Sequence, residues 1–182
     1  MRHRPALVST ALVSAALVGA ALVFTALALA GCAAEEPAAT ATIGLGRGGP
    51  RAEVLGLVVV CSGAVDGLDL ATADVAPLLV GDGLRRVTRW VAPEPVTQLG
   101  ATDLAGRTIW PADTEIEQFS PEIDYALGAY ATARSVLARP VVFTAEQFDT
   151  LSVGEVIIGD VRDGTSMTLS VQEFLRGACE PN

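Results

Sequence analysis

From Pro5 to Ala34 the chain carries no charge. This stretch, rich in Ala, Leu and Val, is about 25 apolar residues long, enough to span a bilayer. No small domain uses such a run as an ordinary core element. Arg2, His3 and Arg4 precede it, and Leu27-Ala28-Leu29-Ala30-Gly31 ends it in small residues. A charged start, an apolar stretch and a small-residue exit read as a secretory leader, 1–31. The folded part must come from the residues C-terminal to it. Counted from near Glu53 to Asn182, about 130 residues remain, enough for one domain with one core.

The segment Leu29-Ala30-Gly31-Cys32 resembles the lipobox of bacterial lipoproteins, matched at all four positions. The resemblance covers the first 32 residues and implies cleavage before Cys32 with diacylglycerol attached to its sulfur. It places the protein at the cell membrane, lipid-anchored on the extracytoplasmic face. Two or more acyl chains hold stably where one holds only marginally. An uncleaved apolar anchor and ordinary cleavage after Ala28-Leu29-Ala30 are the other readings of the run. A cysteine at the exit of an otherwise Cys-free leader argues against both.

Charge narrows the partners. Of the 12 basic residues all are Arg, and Arg2 and Arg4 lie in the leader; the rest of the chain has 10 Arg against 21 carboxylates, a formal charge of −11. Phosphate backbones repel such a chain, so nucleic acid is not an expected partner. Anionic headgroups repel it too, which leaves the lipid to hold it at a membrane. Its own partner is expected to be an envelope protein or a small ligand.

Residues 33 to about 52 are small, polar and Gly-rich, with Gly44, Gly46, Gly48 and Gly49 before Pro50. Residues 32–53 therefore read as the lipidated cysteine and a flexible tether, with a coil span of roughly 25 Å and an extended limit near 70 Å. The letters Gly44-x-Gly46-x-x-Gly49 match a dinucleotide fingerprint, but no predicted strand precedes them.

The domain is expected over 54–182. Val54 to Val60 reads as a buried strand, and 62–76 as loop or mixed. Pro77 to Val80, the turn Gly81-Asp82-Gly83 and Leu84 to Val91 read as a hairpin closed by Pro93 and Pro95. Arg107 to Trp110 suggests a further short strand. Ser120-Pro121-Glu122 resembles a helix start. Ile123, Leu127, Tyr130 and Leu137 form one stripe, so a longer helix is predicted up to Pro140. Phe143-Thr144-Ala145-Glu146-Gln147-Phe148 and Leu169-Ser170-Val171-Gln172-Glu173-Phe174 each carry a capping box and a hydrophobic staple. Each is expected to open a short helix. Between them, Val156 to Val161 and Thr165 to Leu169 read as a hairpin around Asp163-Gly164. The expected fold is α+β: a small single domain, mainly antiparallel sheet, with one longer helix and two short ones.

With Cys32 lipidated, Cys61 and Cys179 remain as an even pair in an oxidising compartment. One disulfide is the simplest reading, worth about 4–5 kcal/mol in the chain-entropy model; two separate thiols is the alternative. The only His lies in the leader and there is no Lys. A triad therefore lacks its usual base, and the common zinc sites lack their ligands. No catalytic residue, metal ligand or cofactor is assigned. Carboxylate chemistry survives this exclusion. Asp66, Asp69 and Asp74 crowd one stretch, and Asp113, Glu115 and Glu117 alternate in another, so a carboxylate-based enzyme or a calcium-dependent domain is the alternative function. The candidate binding group is Arg85, Arg86, Arg89 and Trp90, because Arg and Trp are enriched in hot spots. The favoured function is a non-catalytic binding or accessory module.

Overall fold

The segment Ala39-Thr40-Ala41-Thr42-Ile43-Gly44-Leu45-Gly46-Arg47 alternates strictly, and in the structure it is the centre of a sheet. The computed structural model describes residues 37–73, 86–105, 109–159 and 166–180. Among them are ten strands and two helices. In chain order they are β1 (Ala39–Gly48), β2 (Glu53–Ser62), β3 (Val65–Thr72), β4 (Arg86–Val96), β5 (Leu99–Asp103), β6 (Tyr125–Tyr130), β7 (Val136–Leu137), β8 (Val141–Phe143), α1 (Ala145–Thr150), β9 (Glu155–Gly159), β10 (Ser166–Ser170) and α2 (Val171–Gly177).

One sheet has the order β10-β9-β1-β2-β5, with β7 added in parallel to the start of β1. The second has the order β4-β3-β6-β8 and is antiparallel throughout. Their inner faces share one core. Ile43, Leu45, Val58 and Val60 come from the first sheet, and Leu68, Leu70, Trp90, Leu127 and Phe143 from the second. Phe119 and Phe148 close it, with ring centroids 5.0 Å apart. Period-two burial of this kind stabilises by removing one face of each strand from water.

The expected tether is the first correction. Residues 39–48 belong to the same compact unit as the rest of the domain, which begins at Glu36 rather than near residue 54. Ala39, Ile43 and Leu45 are buried in the core, while Thr40, Thr42, Gly44 and Gly46 face the other way. Glycine reads as flexible by intrinsic propensity. Here it is selected by contact: a Cβ at Gly44 would strike Val156 and lie 3.2 Å from the Phe174 ring.

The longer helix is the second correction. Residues 125–130 form β6, which pairs with β3 from Tyr125↔Thr72 to Tyr130↔Gly67. Tyr125 and Leu127 point into the core, and Ala126, Gly128 and Tyr130 point out. Helix propensity is a weak prior, and six residues of cross-strand pairing override it. Ser120 does not cap a helix but closes a turn, accepting from Ile123 N at 3.4 Å. The fold is accordingly a mainly antiparallel β structure with few helices.

Two smaller expectations also change. The stretch 62–76, read as loop or mixed, contains β3, the strand that β4 and β6 flank. The predicted hairpin falls largely on residues outside those described, but its second half, β4, pairs with β3 and continues through Pro93 and Pro95. Proline is tolerated there because β4 is an edge strand. The β3 register also shifts from Gly67↔Val91 to Val65↔Val96, so residues 92–95 face one residue, Asp66. Of the strand suggested at Arg107 to Trp110, only Ile109 and Trp110 lie among the described residues, and they form a bend.

Other expectations hold. β2 covers the Val-rich run, and β9 and β10 pair antiparallel, with the turn around Asp163-Gly164 outside the described residues. Both capping boxes form. Thr144 Oγ1 accepts from Gln147 N at 3.1 Å, and Ser170 Oγ accepts from Glu173 N at 3.2 Å. Those two hydrogen bonds start α1 and α2 where predicted.

Candidate functional site

On the first sheet the outward residues of β1, β2, β5 and β9, Asp103 at the end of β5 apart, are small or apolar, and α2 packs on them. Phe174 is buried against Leu57 and Val156, with Leu55, Val59 and Ile158 around it. The chain end is then fastened: Cys179, just beyond α2, forms a disulfide with Cys61 at the end of β2, 118 residues away in sequence. The expected pairing is thus present. Cys32 lies outside the described residues.

The second sheet's outer face carries charge. Asp69 on β3 stands opposite Arg89 on β4 and Gly128 on β6. Arg89 Nη2 lies 3.8 Å from Asp69 Oδ2. The same guanidinium lies 3.8 Å from the centroid of the Tyr130 ring, a cation–π distance. At Gly67 a Cβ would strike the Trp90 carbonyl oxygen and would also come within 2.9 Å of the Tyr130 ring, and the Asp69 carboxylate lies over Gly128, 2.8 Å from where a Cβ would be. Gly128 therefore leaves room for the carboxylate, and Gly67 for the close approach of the β4 backbone as well as for the ring.

Electrostatics follow from this packing. Burial pushes the Asp69 carboxyl above the ordinary aspartate range, and the Arg89 and Arg86 charges only partly offset it. The Tyr130 hydroxyl is raised by burial, opposed by Arg89 and reinforced by Asp66, Asp113 and Asp69. Nε of Arg89 is buried and has no hydrogen-bond acceptor among the described residues. A carboxylate or phosphate ligand at Arg89 would compete with Asp69 for the guanidinium.

The predicted binding residues separate. Arg89 belongs to this cluster. Arg86 is exposed at the start of β4, and Arg85 lies outside the described residues. Trp90 is a correction: at 1% exposure it is core and presents no surface to a ligand. Strand alternation is the reason, since Trp90 must point opposite to Arg89.

The carboxylate groups form no single cluster of ligands. Asp66 accepts from Thr132 N at 2.6 Å and, like Asp113, acts on the Tyr130 hydroxyl, and Asp74 lies outside the described residues. Asp113, Glu115 and Glu117 are exposed along 113–117, whose start is tied to β4 by Asp113 N donating to Arg89 O at 2.9 Å. Among the described residues no three His, Cys, Asp or Glu side chains group as metal ligands. A shallow polar depression of 130 Å³ between α1 and the β9–β10 hairpin is lined by Gln147, Glu155, Ser166 and Thr168 among others. It is smaller than the roughly 300 Å³ at which ligand pockets begin.

Sequence reasoning missed Tyr130, which it put on a helix stripe. The alternation Tyr125-Ala126-Leu127-Gly128-Ala129-Tyr130 was the available signal. Comparison with protein-family models, with curated proteins and with solved structures returns no match for this chain.

Proposed function

We propose that this protein is an extracytoplasmic lipoprotein whose disulfide-tied β domain is a non-catalytic binding or accessory module. One observation carries the reading. Of three cysteines, Cys61 and Cys179 are joined to each other, and the third stands at the lipobox-like exit of the leader. Structural disulfides persist in oxidising compartments outside the cytoplasm, so the bond and the leader agree about address. A third cysteine left over from that pairing suits a lipid attachment point.

The surface best suited to recognition is the outer face around Arg89, Tyr130 and Asp69. It joins an arginine and an aromatic ring, the side chains enriched at binding hot spots. Around them lie small residues that leave the face flat, which fits an envelope protein better than an enclosed small molecule.

Intact-mass measurement and detergent-phase partition of the protein made in a bacterial host test the reading. The expected product begins at Cys32, carries a diacylglycerol adduct and enters the detergent phase. Cys32→Ala is expected to stay in the aqueous phase. An unmodified sulfur at Cys32, or a product beginning elsewhere, would overturn the assignment.

A further inference from the structure

With β1 absorbed into the sheet, only residues 33–38 separate Cys32 from the first strand. Seven Cα-to-Cα steps reach at most about 25 Å, against roughly 70 Å for the tether expected from sequence. Ala39 itself is immobilised: it is fully buried, and its N–H donates to Ser135 O at 2.9 Å.

We infer that the end of the domain at which β1 begins rests on the bilayer, with Leu137 and Leu99 as its lipid-facing side chains; this rests on the lipid-anchor reading of Cys32. The strand directions define that end. β1, β3, β5 and β7 start there, and β2 and β6 finish there, as the antiparallel registers require. A ten-residue strand such as β1 is about 33 Å long, so a leash of about 25 Å brings this end, not the other, to the headgroups.

The chemistry at this end fits a lipid surface. Leu137 pairs with Thr40 beside the start of β1 and is 63% exposed. Leu99 opens β5 opposite Val59 and is 55% exposed. Exposed leucines of this size gain by entering the headgroup–acyl boundary.

The test uses the full-length lipidated protein in vesicles of phosphatidylethanolamine and phosphatidylglycerol with brominated acyl chains, which quench tryptophan at short range. Three variants are compared: Leu137→Trp, Leu99→Trp and, at the far pole in the β1–β2 turn, Arg51→Trp. All three positions are exposed, and the native Trp90 and Trp110 give the same buried background in each. The added tryptophans at 137 and 99 are expected to lose most of their emission, and the one at 51 to keep it. Equal emission at all three positions in protein shown by mass to carry its lipid overturns the orientation and leaves the anchor standing. A mass without lipid overturns the anchor instead.

Discussion

The two sheets share a core but finish their outer faces in opposite ways. On the six-stranded sheet, glycine at position 44 admits Phe174, and a second small apolar cluster forms under α2. On the four-stranded sheet, glycine at position 128 admits a carboxylate and glycine at position 67 admits the Trp90 carbonyl and the edge of a ring, and the outer face carries a charged, half-exposed triad. The same backbone device thus serves hydrophobic burial on one side and a charged, half-exposed surface on the other. The lesson is energetic. A buried aromatic adds apolar area to the folded state, whereas a half-exposed ion pair adds little.

Truncating each face should give the widest contrast. Phe174→Ala is expected to cost about 3–5 kcal/mol in denaturant unfolding, the range for a buried aromatic. Arg89→Ala is expected to cost about 1 kcal/mol or less, the range for a surface pair. Equal costs would show that the charged face contributes to stability as a second core does.

Next in size is the fastening of α2. Replacing Cys61 and Cys179 together by Ser should lower stability by about 2–5 kcal/mol. Hydrogen exchange should then rise first in α2 and the end of β2. Unchanged stability would mean that Phe174 alone holds the helix.

The glycines distinguish the two faces more finely. Gly44→Ala is expected to destabilise by about 1–3 kcal/mol, because its new methyl meets packed Val156 and Phe174. Gly128→Ala meets only the end of the Asp69 side chain, which can swing towards solvent, so its thermal melt should fall less. A reversed order would contradict the assignment of the two faces.

The smallest effect is a pH dependence. The Asp69 carboxyl titrates above its ordinary value of 3.8 in the folded protein. Ionisation is therefore easier in the unfolded chain, and Asp69 subtracts stability as pH rises from that value to its folded one. Asp69→Asn removes this contribution. The melting temperature of the variant relative to wild type should increase between pH 3 and pH 7. A difference independent of pH would mean that burial does not penalise the Asp69 charge.

How much of the fold was legible in sequence depended on the range of the interaction. The Thr144–Gln147 and Ser170–Glu173 capping boxes were readable because donor and acceptor are three residues apart. β2 was readable because its Val-rich run needs burial whatever its neighbours are. β1 and β6 were not, although both alternate. Gly and Thr in one, and Ala and Gly in the other, gave each the composition of a tether or a helix. Those residues are small because of Phe174, Val156 and Asp69, which approach from elsewhere in the chain. Arg89 was singled out, but its partners Tyr130 and Asp69 lie on strands whose pairing no local pattern declares.

The amino-acid order was enough to set the helix starts, the charge balance and the cysteine arithmetic, since each depends on neighbours in the chain or on simple counts. Long-range packing alone made a glycine-rich stretch the middle of a sheet. Strand pairing is made across tens of residues, and small side chains take their meaning from whatever is packed against them.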